Sequence, residues 1–216
     1  GSTIGVIGGT GSGKSTLVNL IPRLYDATEG SVKVFGADVK QYRLRELRGR
    51  IGVAPQRAAL FRGTIRENLQ WGKPGATDEE ITRALTVAQA ADFVFASPEG
   101  LDRHIEQGGR NLSGGQRQRL TIARALVGEP DILILDDSAS ALDYATDARL
   151  RRAIRENTRD MTVFIVSQRV SSIRQADAIL VLDDARLAGV GTHEALMRDC
   201  AVYREIALSQ EKEAKA

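Results

Sequence analysis

Gly8-Gly9-Thr10-Gly11-Ser12-Gly13-Lys14-Ser15 matches the phosphate-loop pattern G-x-x-x-x-G-K-[ST] at every position. Its flanks decide how to read it. Ahead of it runs an apolar strand candidate holding Ile4, Val6 and Ile7. Behind it Leu17, Val18, Leu20 and Ile21 recur at helical spacing as far as Pro22, which can stop a helix. Strand, loop and helix in that order are the context the motif requires. Glycines lack a Cβ, so successive backbone N–H groups can turn toward a polyphosphate while the following helix aims its positive end at the same charge. Lys14 would reach the β- and γ-phosphates, and the Ser15 hydroxyl would be offered to Mg²⁺. The expected nucleotide-binding residues are thus Gly8, Gly9, Thr10, Gly11, Ser12, Gly13, Lys14, Ser15 and Thr16.

A second stretch narrows the class of machine. Asp131-Ile132-Leu133-Ile134-Leu135-Asp136-Asp137 is a short apolar run ending in acid, as suits a strand buried on both faces of a parallel sheet. Its carboxylates would emerge at the C-terminal edge, where such sheets bind ligands. Asp136 is then the expected anchor, direct or through water, for the Mg²⁺ held by Ser15. Between the two motifs lies Leu112-Ser113-Gly114-Gly115-Gln116, followed by a helical run over 117–127, with Ser113 placed as an N-cap.

Taken together, the three motifs make the chain resemble the nucleotide-binding domain of ATP-binding cassette (ABC) transporters, whose signature reads LSGGQ; the likeness spans nearly all of the chain. It implies ATP and Mg²⁺ as cofactors. It marks Gln56 in Val53-Ala54-Pro55-Gln56 as the Q-loop glutamine, a metal ligand beside Ser15 and Asp136, and Ser140-Ala141-Leu142-Asp143 as the D-loop. Ser113, Gly114, Gly115, Gln116 and Asp143 join the nucleotide contacts. The run from Pro55 to Leu69, containing Leu60-Phe61-Arg62-Gly63-Thr64-Ile65, resembles the exporter branch. Ile105-Glu106-Gln107-Gly108-Gly109-Arg110-Asn111 resembles the exporter X-loop but has Glu106 and Gln107 where Gly and Glu are usual.

The departures that matter most fall at the chemical step. Where the family places a Glu that polarises the attacking water, this chain has Asp137, one methylene shorter; a misplacement of about 1 Å can cost on the order of 10²-fold. Ile165-Val166-Ser167-Gln168-Arg169 matches the switch region with Gln168 in place of the usual His. Gln can hydrogen-bond a phosphate oxygen but cannot become cationic or relay a proton. Asp137, Gln168 and Gln56 are the expected catalytic positions. In this family two domains pack head to tail, each ATP lying between the phosphate loop of one and the signature of the other. A weakened phosphate-loop half beside an intact LSGGQ therefore suggests one half of a heterodimeric exporter, with a slow or silent site of its own. The expected partners are a second, non-identical nucleotide-binding domain and a transmembrane domain, at the cytoplasmic face of the cell membrane. A pair of identical chains would instead have two slow sites. A soluble cassette ATPase acting on ribosomes or DNA, and an importer subunit, are the alternatives. Such domains also carry an adenine-stacking aromatic on a strand ahead of the phosphate loop. With seven residues before Gly8, the expectation is a piece of a longer polypeptide whose A-loop strands and transmembrane domain lie elsewhere.

Composition sets the remaining bounds. The 216 residues are 42% apolar and 27% charged, enough to bury a good core. No apolar run approaches the ~20 residues of a membrane-spanning helix. A net charge of +2 gives no footing for bulk polyanion binding, so no nucleic-acid partner is expected, and the basic runs over 43–50 and 149–155 read as solvated helix faces. One cysteine, Cys200, forbids an internal disulfide. Strand candidates at 4–7, 31–35, 51–54, 132–136, 162–166 and 178–182 alternate with helices. That alternation predicts an α/β fold with a mostly parallel sheet, a P-loop NTPase core over about 1–76 and 128–216. Residues 77–127 read as helices alone, opened by Asp78-Glu79-Glu80 with Ile81, Leu85 and Ala88 inward, and form the expected helical subdomain. Trp71 reads as a packing residue, His104 and His193 as solvated or capping, and the tail from Glu211 as a fraying helix end.

Overall fold

A computed structural model describes residues 1–138, 140–158 and 160–213; the final residues 214–216 of the expected fraying tail lie outside the described residues. In chain order the elements are β1 (Thr3–Gly8), α1 (Lys14–Asn19), β2 (Lys33–Val34), β3 (Ala37–Asp38), α2 (Leu44–Gly49), β4 (Ile51–Ala54), β5 (Gly63–Thr64), α3 (Ile65–Gln70), α4 (Asp78–Val87), α5 (Ala91–Phe95), β6 (His104–Ile105), α6 (Gly114–Leu126), β7 (Ile132–Asp136), α7 (Tyr144–Asn157), β8 (Thr162–Val166), α8 (Val170–Ile173), β9 (Ala178–Asp183), β10 (Arg186–Gly191), α9 (His193–Asp199) and α10 (Ala201–Glu213). The class is α/β, with mainly parallel strands flanked by helices, as the alternating pattern requires. The chain forms two compact units, one over residues 49–161 and the other over 2–48 together with the chain from 162 onward.

In the unit that holds both ends, β1 lies between β8 and β9 and runs parallel to each. Val6 and Ile7 are fully buried, and Gly5 lets α8 lie close, since a Cβ there would sit 2.8 Å from the Ile173 Cβ. β10 joins β9 antiparallel, a strand the alternation of apolar residues does not announce. Its hairpin turns on Asp184 and Ala185, both with positive φ (44° and 58°), the backbone of a type I′ turn normally written Asn-Gly. Of the strand expected over 31–35 only Lys33–Val34 pairs, with Ala37–Asp38.

The other unit holds β4 and β7, parallel, with α6 on β4: a Cβ on Gly52 would lie 2.2 Å from the Ala125 carbonyl oxygen, so that helix and strand meet at backbone distance. Three helices here begin with the same local device. Thr64 with Glu67, Thr77 with Glu80 and Ser113 with Gln116 each form a capping box, satisfying two orphan donors reciprocally. Ile81, Leu85 and Ala88 of α4 and its end are fully buried, the face read from their spacing. Among the described residues no helix is long and apolar enough to cross a membrane.

Candidate functional site

The phosphate-loop segment leaves β1 at Gly8 and enters α1 at Lys14. A side chain on Gly8 is ruled out by packing, since its Cβ would lie 2.1 Å from the Leu182 carbonyl oxygen. Gly9 differs. Its backbone does not demand glycine and a Cβ there would meet nothing within 4 Å, so the bare backbone faces open space that a phosphate could approach. Gly13, the N-cap of α1, has φ 88° and gives no side-chain cap. Lys14, 8% exposed, donates from Nζ to the Gly8 carbonyl (2.9 Å), the Gly9 carbonyl (2.6 Å) and Ser12 Oγ (3.4 Å), which folds its ammonium over the loop. Ser12 is buried; Thr10, Ser15 and Thr16 are exposed. Backbone donors, one cation and an uncrowded glycine cradle form a donor set that fits a polyphosphate.

Gln168 emerges in the same unit. β8 neighbours β1, and Ser167 N–H extends the ladder by donating to the Val6 carbonyl at 3.1 Å, so Gln168 and the phosphate loop leave the sheet at the carboxyl ends of adjacent strands. The Gln168 side chain is exposed. Its carbonyl accepts from Gln210 Nε2 on α10 at 2.6 Å, a long-range contact that no motif signals.

In the other unit the pairing of Ala54 with Leu135 brings Gln56 and the two aspartates to one sheet edge. Asp136 is 7% exposed at the end of β7. Asp137 follows with φ 45°, a left-handed conformation uncommon outside glycine, and its carbonyl accepts from Ser140 N and Oγ (3.2 and 2.8 Å), closing the turn. Gln56 Nε2 donates to Asp137 Oδ2 at 3.1 Å, joining two of the predicted site residues. The Q-loop is held by a residue that sequence reading passed over: Gln118 of α6, 2% exposed, donates from Nε2 to the Pro55 carbonyl at 3.2 Å.

Ser113, Gly114, Gly115 and Gln116 form the start of α6. Ser113 Oγ accepts from Gln116 N–H (3.2 Å) and the Gln116 side chain accepts from Ser113 N–H (2.9 Å). Gly115 borders the segment before Asp143, since a Cβ on it would lie 3.4 Å from the Ala141 carbonyl oxygen. Asp143 caps α7 by accepting from Thr146 N–H at 2.8 Å, and that bond holds its carboxyl below the usual carboxylate range. In the exporter-like segment Leu60 is in the core, whereas Phe61 is 46% exposed and stacks on Trp71 at 4.8 Å between centroids. Trp71, 69% exposed, is the packing residue read from the sequence, and it packs at the surface. His193 also departs from expectation: it is buried and bonded through Nδ1 to Tyr203 Oη at 2.8 Å, while Thr192 does the capping of α9.

Among the described residues no cluster of three or more His, Cys, Asp or Glu side chains could hold a metal by itself.

The family profile described as ABC transporter matches residues 1–140. An uncharacterized ABC transporter ATP-binding protein of Mycobacterium tuberculosis is 48% identical over 213 residues, covering 97% of this chain and 36% of that protein. A Bacillus subtilis protein provisionally named a multidrug export ATP-binding/permease protein is 42% identical over 206 residues, covering 95% and 36%. The solved structure of a bacterial Atm1-family ABC exporter with ATP bound superposes with a TM-score of 0.93 at 38% identity, covering 97% of this chain and 37% of that one. The chain thus spans little more than a third of the length of these relatives. Phosphate loop, acidic strand end, capped LSGGQ helix and these likenesses lead to one conclusion: the chain belongs to the ABC transporter family, as one of its ATP-binding ATPase domains, homologous to those of ABC exporters.

Proposed function

We propose that this domain is the motor of a membrane exporter, working at the cytoplasmic face as the weaker half of an asymmetric pair. Its phosphate loop holds Mg-ATP. Gly8 to Gly13 and Thr16 would frame the phosphates and Lys14 would neutralise the β- and γ-oxygens; Ser15 in one unit, and Gln56 and Asp136 in the other, would be the ligands for Mg²⁺, which would supply positive charge against the charge developing on the phosphate. Residues 77–127 act as the helical subdomain that carries the signature. A transmembrane domain and a second, non-identical nucleotide-binding domain complete the assembly.

The observation that carries this reading is the pairing of a complete, self-capped LSGGQ helix start with a reduced chemical site. Asp137 is short, and its carboxylate already accepts the Gln56 amide, which lowers its strength as an acceptor for a water proton. Gln168 can orient a phosphate oxygen but carries no proton in exchange. Ser113 is better placed to serve. Its oxygen takes the Gln116 N–H, which leaves the hydroxyl proton free to meet a phosphate presented by the partner, beside Gly114, Gly115 and the positive end of α6. Asp143 would contribute from the same side.

Paired steady-state ATPase measurements on the assembled transporter test the asymmetry, with ATP binding checked in each variant. Ser113→Ala combined with Gly115→Asp should remove most activity, because an added carboxylate repels phosphate at the active interface. Asp137→Asn should remove far less. Comparable losses, or a larger loss in Asp137→Asn, would overturn the assignment.

A further inference from the structure

Gln210 sits on α10, 42 residues beyond the exposed Gln168, yet its side chain closes on the backbone of that loop from both ends. The amide Nε2 donates to the Gln168 carbonyl at 2.6 Å and Oε1 accepts from Val170 N–H at 2.9 Å. The partners fix the orientation of the amide, since one is an acceptor and the other a donor, and a carboxamide serves both at once through its separate N–H and C=O ends. Val170 opens α8, where an N–H has no intrahelical acceptor, and the preceding Arg169 provides no side-chain cap. Gln210 supplies that cap from a distant helix.

The position is no accident of a loose tail. Tyr203 and Ala207 are 0% and 3% exposed, and with Gln210 they follow the i, i+4, i+7 spacing of a single helix face. Tyr203 is fastened to His193 of α9, so the face that seats α10 also delivers Gln210 to the loop. On the other side of the loop Ser167 is tied to Val6 of β1, and Ser167 Oγ accepts from Arg169 N–H at 3.0 Å. The Gln168 backbone is therefore held between the sheet edge that starts the phosphate loop and the C-terminal helix, with its side chain directed outward.

We infer that Gln210 is a positioning residue for the γ-phosphate switch: by clamping the Gln168 carbonyl and the Val170 N–H it makes α10 set the conformation in which Gln168 meets bound nucleotide. This rests on the reading of the chain as an ATP-binding domain. The clamp is a hydrogen-bonded two-point contact and so can be released without unfolding the helix that provides it.

Amide hydrogen exchange of the chain, followed by NMR with and without saturating Mg-ATP, tests the clamp in Gln210→Ala and Gln210→Glu. Without nucleotide, Gln210→Ala should speed exchange at Val170 about tenfold, while amides around Tyr203 and Ala207 keep the wild-type rate. Gln210→Glu should leave Val170 protected, because a carboxylate still accepts its N–H, but should set two acceptors against each other at Gln168. With Mg-ATP, the wild type should gain protection at both the phosphate loop and 167–170, and both variants should keep the first gain and lose the second. Unchanged Val170 exchange in Gln210→Ala, acceleration spread evenly along α10, or a full nucleotide response at 167–170 in the variants would each overturn the inference. Should the wild-type phosphate loop fail to respond to Mg-ATP, the ATP-binding reading is what fails; the nucleotide-free arm then still decides whether Gln210 holds the loop.

Discussion

Both α1 and α6 begin in glycine-rich sequence, and they solve the same problem in opposite ways. A helix start leaves several N–H groups without intrahelical acceptors. At α6 the chain supplies its own: Ser113 and Gln116 form a complete capping box, and the helix runs on to Leu126. At α1 the cap residue is Gly13, with a left-handed backbone and no side chain to accept anything, no acidic residue follows in the first turn, and the nearby cation is turned onto the loop's own carbonyls. The first start carries a side-chain cap of its own. The second has no side-chain cap, and beside it the Gly9 backbone faces open space that a phosphate could approach. A glycine-rich helix start is therefore not one signal but two, separated by whether the residue before the helix can cap it.

The comparison breaks most visibly at Lys14. Lys14→Ala should lower Mg-ATP affinity by about 100-fold, since it removes the cation aimed at the β/γ-phosphates while the backbone cradle remains. Calorimetry showing wild-type affinity in this variant would refute the role assigned to α1. A smaller effect is expected at Gly13→Ala. A Cβ there meets only Ala185 atoms at 3.9 Å, so sterics with neighbours are not the issue; holding alanine at φ 88° should cost roughly 1–2 kcal/mol in denaturant unfolding. Full retention of stability would mean that the loop relaxes to a conformation any residue adopts. The mildest test sharpens the α6 side. Ser113→Ala should cost about 1 kcal/mol and Ser113→Gly only a few tenths, the order expected of a cap. Equal costs would show that the hydroxyl contributes nothing through capping.

What could be read in advance follows the reach of each interaction. The strands β1, β4, β7, β8 and β9 were legible because buried parallel strands are written as compact apolar runs. β10 was not: Arg186 and the exposed Leu187 and Val190 alternate with glycines, and its turn uses Asp184-Ala185 at positive φ where Asn-Gly would have signalled a hairpin. Trp71 packs as its apolar surface suggests, though on the exterior, where the Phe61 and Trp71 rings each cover one face of the other. His193 misled, because a histidine beside a helix start reads as solvated until the aromatic partner ten residues on is known to fold against it.

The sequence by itself determined whatever contiguous residues could decide: the glycine cradle with Lys14, the capping pairs Thr64–Glu67, Thr77–Glu80 and Ser113–Gln116, and the acidic end of β7, because each depends on spacings of three to six residues within one strand, loop or helix turn. Only the tertiary structure decided what holds those pieces in place. Gln118 on the Pro55 carbonyl, Gln56 on Asp137 and Gln210 on the Gln168 loop join residues 63, 81 and 42 apart. A glutamine that makes such a contact has the same helix propensity, polarity and spacing as one that faces water. Its role is fixed by which backbone groups the packed elements bring within about 3 Å of its amide, and no local pattern encodes that.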